Sequence, residues 1–542
     1  MSTNNLKREA SNQAAKPNNK RAKNSRQRSD KRATKQPGQP LDDRREWTRE
    51  WAGLPKSSDI TQSGPKLPKR KCAVIIGFCG TGYNGMQIQP HGNVKTIEGD
   101  IFVAMIKAGV ISPDNSTDPG KVRTNHSSEK TTYVFARAAR TDASVHAAFN
   151  VISLKMIVDL PDTPDIVEKI NEHLPNHIRI WGFVRTQNSF DARTSCDSRS
   201  YEYLLPSYVF IPPSPWSNLG KRLKSSHPFW EGVDETEDIA SMMTRKRAYR
   251  IDSDTLDRAR ETLAQFEGSH NFWSYTIGKG FRDRSSQRFM KKLTIQDPFL
   301  VEGNEWISVR FYGQSFMLHQ IRKMIFMLVN VVRTGTPASL IPTTYTDLPI
   351  VVPKAPGLGL LLEKPHFNVY NSRVKENNEH IDQNAGERIN KAVEKVHKQK
   401  GKDAEAGKTD VEYPSDEQIK SETTKQINGD RRELIDFVPY EEKVEAFKHE
   451  YIYKRLRKEE VLGNVYSRWV GMIDSHEGQQ LDYLNPEGVI TESAIKAGKK
   501  GVKGGQNAQL DGADNSGVKA TLESDDEDNY DKKALKSGEL EG

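Results

Sequence analysis

This chain is short of apolar residues. Only 35% of its positions are hydrophobic and its mean hydropathy is −0.74, so much of its length is not packed core. Cysteine is scarce as well. Cys72, Cys79 and Cys196 form an odd, sparse set that argues against a disulfide scaffold and fits a reducing compartment. No apolar run approaches the ~20 residues of a membrane span, and the N-terminus lacks the apolar core of a secretory signal. Several catalytic fingerprints are missing: there is no P-loop, no Gly-x-Ser-x-Gly elbow and no Cys-x-x-Cys pair. Cys72 and Cys79 stand seven apart on a strand and its following loop, a spacing that does not support zinc.

Positive charge is plentiful. The formal net charge is +8 and the pI is about 9.0, which favours an acidic partner. The charge is uneven. Eleven Lys and Arg residues in the first forty positions face only Glu9 and Asp30, whereas Asp525-Asp526-Glu527-Asp528 lies near the other end. Residues 1–66 read as a disordered basic tail. Lys20-Arg21-Ala22-Lys23 and Lys31-Arg32 suit a nuclear import signal, and the same charges suit a non-specific RNA-binding tail.

Ordered structure is expected from Lys71. Cys72-Ala73-Val74-Ile75-Ile76-Gly77-Phe78 reads as a buried strand, followed by a helix from about Thr96 that ends at Gly109. Residues 112–131 read as a polar insertion. A second helix opens at Thr163-Pro164, and strands follow at Ile178–Arg185 and Tyr201–Leu205. After an irregular insertion at 212–247 the pattern resumes. A helix at 253–266 is followed by strands at Arg288–Ile295 and Trp306–Phe311, a helix from Ser315 to Gly335 and a strand at Leu358–Leu362. The repeated strand-helix-strand pattern predicts an α+β domain of two similar subdomains, at 67–211 and 248–372. Residues 373–430 read as a disordered insertion, 431–474 as a helical extension, and 475–542 as an unfolded tail.

Five stretches invite a chemical reading. Gly80-x-Gly82-x-x-Gly85 follows a strand, but Pro90 and Gly92 intervene before any helix, so a dinucleotide site is not supported. A loop held open by glycines beside Tyr83 and Gln87 fits better. Arg140-Thr141-Asp142, with His146 just after, places a carboxylate beside an arginine on a loop that opens into a strand. By itself such a triplet is also an ordinary surface ion pair. The helix from Ser315 is apolar on nearly every face yet carries Arg322, which needs an anion if buried, and Asp142 is a candidate. Lys323 is expected to snorkel outward. Tyr201 and Tyr203 share one face of a strand, where tyrosines either fill a core or stack on a base. His270-Asn271-Phe272-Trp273 reads as a helix cap with core aromatics.

Together these segments resemble the TruA family of tRNA pseudouridine synthases, closest to its eukaryotic nuclear branch of pseudouridine synthase 1 type. The resemblance covers most of residues 69–370 in order. It rests on Lys69-Arg70-Lys71 with its strand, Gly80-Thr81-Gly82-Tyr83-Asn84-Gly85-Met86-Gln87 and Arg140-Thr141-Asp142-Ala143-Ser144-Val145-His146-Ala147. It continues through Tyr201-Glu202-Tyr203-Leu204-Leu205-Pro206, Ser315-Phe316-Met317-Leu318-His319-Gln320-Ile321-Arg322-Lys323-Met324 and Ala355-Pro356-Gly357-Leu358-Gly359-Leu360. One departure is Ala143-Ser144, where many members have Lys-Gly or Ala-Gly.

The resemblance implies two RRM-like (ferredoxin-like) subdomains sharing a central antiparallel sheet, with a catalytic cleft between them. It implies isomerisation of uridine to pseudouridine in tRNA, around the anticodon stem and loop, and in other RNA such as U2 small nuclear RNA. Asp142 would be the catalytic aspartate, Arg322 its partner, and Tyr201 would stack on the flipped uracil. Tyr83, Arg140, His146, Arg193 and His319 would contact substrate. No nucleotide cofactor or metal is required, and a structural zinc described for relatives finds no ligand spacing here. The expected protein is nuclear and monomeric, with RNA as partner and no membrane. A non-catalytic RNA-binding protein or chaperone on the same fold is the rival, and it would have no need of Asp142.

Overall fold

The apolar runs pair into one large sheet. In this computed structural model the described residues are 67–88, 94–111, 135–161, 163–407 and 411–504. The expected basic tail with its import signal, the polar insertion at 112–131 and the chain beyond 504 lie outside them.

Strand β1 (Lys69–Phe78) is buried at every position from Cys72 onward, as a strand covered on both faces must be. Helix α1 (Ile97–Lys107) starts where the Thr96 hydroxyl accepts the Gly99 N–H, and Gly109 adopts φ +80° just beyond its end. Short β2 (Ala136–Arg137) leads through a loop to β3 (His146–Ile157), of which only Lys155 is exposed. Helix α2 (Ile166–Asn171) is capped by Asp165. Strand β4 (Ile178–Arg185) alternates strictly, with Ile178, Ile180 and Val184 inward.

The pattern then recurs. Strand β5 (Ser198–Pro206) precedes α3 (Ser253–Ala264), β6 (Gly268–Asn271), β7 (Gln287–Ile295), β8 (Phe299–Val301) and β9 (Asn304–Gly313). Helix α4 (Gln320–Arg333) and β10 (Leu360–His366) complete it. The sheet order is β4-β1-β3-β10-β5-β9-β7-β6, with β2 on β3 and β8 on β9. Each half therefore repeats one order: β4-β1-β3-β2 in the first, β10-β5-β9-β7 in the second. The pairings are antiparallel except at the seam, where β10 runs parallel to β3 through Leu361–His146 and Leu362–Ala147. The architecture is mixed α/β with a mostly antiparallel sheet rather than a wholly antiparallel one.

Several expectations are corrected. The expected boundary at 211/212 gives β5 to the first unit, but β5 pairs with β10 and β9 of the second half. The 212–247 segment, which holds short helices at Asn218–Leu223 and Ile239–Ala248, thus interrupts the second half. Residues 373–430 are not a disordered insertion: helices run over Asn368–Gln383, Ala385–Glu405 and Asp416–Asp430. Ion pairs one turn apart (Glu387–Lys391 at 2.5 Å, Glu394–Lys398 at 2.6 Å), a Ser415–Gln418 capping box and buried Ile419 and Ile427 supply what low hydropathy concealed. The expected unfolded tail is also ordered over 475–504, because Leu481, Tyr483 and Leu484 are buried and the Tyr483 hydroxyl donates to Val351 O at 2.8 Å. His270 and Asn271 lie on β6 rather than on a helix end, and Phe272 and Tyr275 fill the core.

Helix α4 is buried along its whole length, as its sequence predicts. It begins at Gln320 rather than Ser315, because His319 turns left-handed at φ 60° and stops the helix from extending backward. Lys323 does not snorkel outward. Its ammonium is buried and donates to Thr276 O at 3.1 Å.

The helices at Glu441–Phe447, Lys454–Gly463 and Val465–Asp474, with a π turn at Lys448–Tyr453, anchor to the sheet and to α4 through polar contacts. Tyr453 donates to Glu202 at 2.6 Å, Tyr466 donates to Leu204 O at 2.7 Å, and Arg333 forks onto Asp474 at 2.5 and 2.8 Å. A side chain at Gly359 would meet the Tyr466 hydroxyl at 2.2 Å, so this position accepts only glycine.

Glu460 is buried, accepting from the Tyr208 hydroxyl and, at 3.0 Å, from the Tyr466 N–H. Burial raises its carboxyl to about 7, against the lowering effect of those bonds and of Arg247. A raised folded value means that the stability contributed by the protonated acid is complete below the ordinary glutamate range and lost as pH rises through about 7. Glu460→Gln removes this titration. In denaturant unfolding, the variant should gain on the parent by up to about 1 kcal/mol per pH unit between the ordinary glutamate range and neutrality. Parallel stability curves would show that Glu460 does not titrate in that window.

Candidate active site

Asp142 sits on the 138–145 loop between β2 and β3, and the surrounding backbone fixes that loop. Asn150 of β3 accepts the Ala139 N–H at 3.3 Å and donates to Ala139 O at 2.9 Å. Thr141 O accepts the Met86 N–H at 3.2 Å, and the Ser144 N–H reaches Tyr83 O at 3.3 Å. The glycines of the 80–85 loop make this approach possible. A Cβ at Gly80 would fall 2.0 Å from Val145 O, and one at Gly85, whose φ is +83°, would fall 3.0 Å from Thr141 O. Gly80 and Gly85 thus serve close backbone packing, whereas Gly82 serves the turn through its φ of +80°. Ser144 adopts φ 63°, the left-handed region that glycine occupies without strain.

The second half brings an imidazole, a guanidinium and an ammonium to this carboxylate. His319, at the start of α4, places Nδ1 3.1 Å from Asp142 Oδ2. Arg322 is buried one turn further on, with Nε donating to Ala355 O at 2.7 Å, and Lys354 is buried just before that carbonyl. The Asp142 side chain remains one-fifth exposed, so a ligand can reach it. Burial pushes its carboxyl up, but His319, Arg322 and Lys354 together outweigh that and hold it below the ordinary carboxylate range. Asp142 is ionised at neutral pH, with its charge concentrated in a partly dry site.

Tyr201 of β5 packs edge-on against Phe316, with ring centroids 5.1 Å apart. Burial pushes its phenol well above the usual range, and the Asp142 charge adds to this against the opposing effect of Arg199. Tyr201 is therefore a neutral phenol. Tyr203, on the same strand face, is committed to the core through its hydroxyl, which donates to Pro356 O at 2.6 Å.

Other expected substrate contacts are placed differently. Tyr83 is buried, donates to Asp100 Oδ2 at 2.7 Å and lies 3.0 Å from His177 Nε2. His146 is fully buried, and its Nδ1 accepts the Gly80 N–H at 3.1 Å. Both are enclosed and prop the glycine loop from behind. Arg140 is half-buried two residues before Asp142. Arg193 is partly exposed between β4 and β5, and among the described residues its guanidinium has no hydrogen-bond or ion-pair partner. His319, Arg322, Tyr201 and Asp142 are the expected residues that converge.

Sequence reasoning passed over Lys354 and Arg199. Lys354 precedes the Ala355-Pro356-Gly357 turn, and Arg199 lies two before Tyr201 on β5, hence on the same face. That parity was the available signal for Arg199. Among the described residues there is no group of three or more His, Cys, Asp or Glu that could hold a metal ion, and the three cysteines are free and buried.

Known proteins share this arrangement of sequence. A family model described as tRNA pseudouridine synthase matches residues 263–368, which span β6 to β10 with α4. The tRNA pseudouridine synthase 1 of Candida albicans is 38% identical over 480 residues, covering 77% of this chain and 68% of that protein. The protein of the same name from Schizosaccharomyces pombe is 33% identical, covering 81% of this chain and 89% of its own length. A pseudouridylate synthase 1 homolog from Mus musculus is 36% identical over 320 residues, covering 59% of this chain and 66% of that protein. The chain belongs to the tRNA pseudouridine synthase family, isomerases that convert uridine to pseudouridine in tRNA without a cofactor.

Proposed function

We propose that Asp142 is the nucleophile of this isomerisation, acting on a uridine flipped out of folded RNA. The observation that carries the reading is the partly exposed Asp142 carboxylate, held ionised against His319, Arg322 and Lys354. An ionised, oriented aspartate is a competent nucleophile toward either C1′ of the sugar or C6 of the ring. Breaking the N-glycosidic bond, turning the uracil and rejoining it through C5 requires the base out of its stack, at a cost of a few kcal/mol. Tyr201, a neutral phenol beside Phe316, offers the stacking face that offsets this cost. Arg322 fixes the carboxylate and balances its charge. Arg140 and Arg193 hold the RNA backbone, and His319 orients Asp142 at the mouth of α4.

In this reading each half is an RRM-like βαββαβ unit, which the repeated strand order supports. The cleft between the two units takes the anticodon stem and loop of tRNA and, beyond tRNA, U2 small nuclear RNA. The enzyme works as a monomer in the nucleus, directed there by Lys20-Arg21-Ala22-Lys23 and Lys31-Arg32.

Two substitutions test the site. With tRNA carrying tritium at uridine C5, Asp142→Asn and Asp142→Ala should lower tritium release by about 10⁴-fold or more while tRNA binding persists. Normal turnover by either variant would sink the nucleophile assignment. Arg322→Met should reduce turnover and also destabilise the fold by about 3 kcal/mol, because it strands the Ala355 carbonyl and removes a cation from Asp142. Calorimetry reads the second effect; an active variant as stable as the parent would show that Arg322 is not a buried partner.

A further inference from the structure

Arg199 is the other buried arginine at the site, and its contacts differ in kind from those of Arg322. It extends from β5 on the strand face that carries Tyr201 and is 4% exposed. Its Nε and Nη2 both donate to Ala138 O, at 3.1 and 2.7 Å. Its Nη1 donates to Gln314 O at 3.1 Å and, at a longer 3.4 Å, to Cys196 O. Among the described residues its partners are all main-chain carbonyls.

These carbonyls belong to the segments that hold the site. Ala138 opens the loop that carries Asp142, four residues before it, and belongs to the first half of the sheet. Gln314 opens the segment that leads through Phe316 to His319, five residues on, and belongs to the second. Asp142 and His319 sit 3.1 Å apart at the far ends of those two short segments. The guanidinium therefore ties together the roots of both.

We propose that Arg199 is a positioning residue, one that sets the distance between Asp142 and the His319 end of α4 by clamping Ala138 and Gln314 to one planar fork. This rests on the reading of Asp142 as the nucleophile. The chemistry of the side chain suits the task. A guanidinium has donors in a fixed plane, so its bonds to Ala138 O and Gln314 O fix two segments in relative orientation. A lysine ammonium at the same place is a point donor on a flexible stem and does not impose that plane. A carboxylate partner would have neutralised the arginine without linking the two segments. Misplacement of a reacting group by about 1 Å costs on the order of 100-fold in rate.

The test uses the full chain with Arg199→Ala, Arg199→Lys and, as control, Asp142→Asn. Single-turnover tritium release, tRNA affinity and thermal unfolding are measured for each. Arg199→Ala is expected to unfold cooperatively, to bind tRNA as the parent does, and to lose about 100-fold in single-turnover rate. Added guanidinium should restore part of that rate, whereas added methylammonium should not, and Arg199→Lys should recover little. If Arg199→Ala does not fold, the same rate loss at parental affinity in folded Arg199→Lys supports the proposal. The proposal is overturned if a folded variant turns over within about threefold of the parent, or if affinity falls in step with rate while guanidinium restores neither. Normal turnover by Asp142→Asn refutes the nucleophile reading; an inactive Asp142→Asn beside fully active Arg199 variants refutes only the positioning role.

Discussion

The Asp142 carboxylate and the basic side chains facing it form the interaction on which the site depends. Asp142 comes from the first half of the sheet; His319, Arg322 and Lys354 come from the second. Neither half contains the pair alone. The seam between β3 and β10 is thus more than a join between repeats, because His146 of β3, paired there with Leu361, lies four residues from Asp142. Any slip of this register would carry the carboxylate away from these partners.

The cost of such a site lies in its buried charge. Arg322 is enclosed in a helix whose every residue is buried, and Arg199 is buried near the start of β5. An isolated guanidinium in either place would be strongly destabilising. Each is made tolerable by main-chain carbonyls, Ala355 O for one and Ala138 O and Gln314 O for the other. The same economy holds behind the site. Tyr201 and Glu202 are consecutive on β5 and so face opposite ways: Tyr201 toward Asp142, Glu202 toward Tyr453 of the C-terminal helices. The extension stabilises the rear of the strand whose front carries Tyr201.

Much of this was legible in the sequence because it is local. The strict alternation of Ile178–Arg185, the apolar run of β1 and the stops at Gly109 and Gly335 each declare an element within a few residues. Arg322 also announced itself, since a charge inside an apolar helix demands a partner. What escaped is long-range or compensatory. Nothing near Arg199 states that its partners are carbonyls 61 and 115 residues away. The boundary was misplaced because β5 follows β4 in the chain but pairs with strands that come later. The helices after residue 368 were missed because their stability rests on ion pairs and caps, which hydropathy does not register.

Two backbone positions bracket the central pair, and they explain why it is held so firmly. Ser144 and His319 both adopt left-handed φ, an arrangement that costs a non-glycine residue about 1–2 kcal/mol. Many members of the family that the chain resembles have glycine at the position of Ser144, so the strain there is tolerated rather than required. His319 differs. Its left-handed turn ends the segment from Gln314 and aims the imidazole at Asp142 Oδ2 instead of letting α4 run on toward Ser315. A helix extended backward would carry that side chain around the helix axis, away from the carboxylate. The strain at His319 is therefore part of what forms the site, and the contacts around it (Asp142 on the ring, Gln314 held by Arg199, the Met317 N–H held by Gln320) supply the constraint that keeps it.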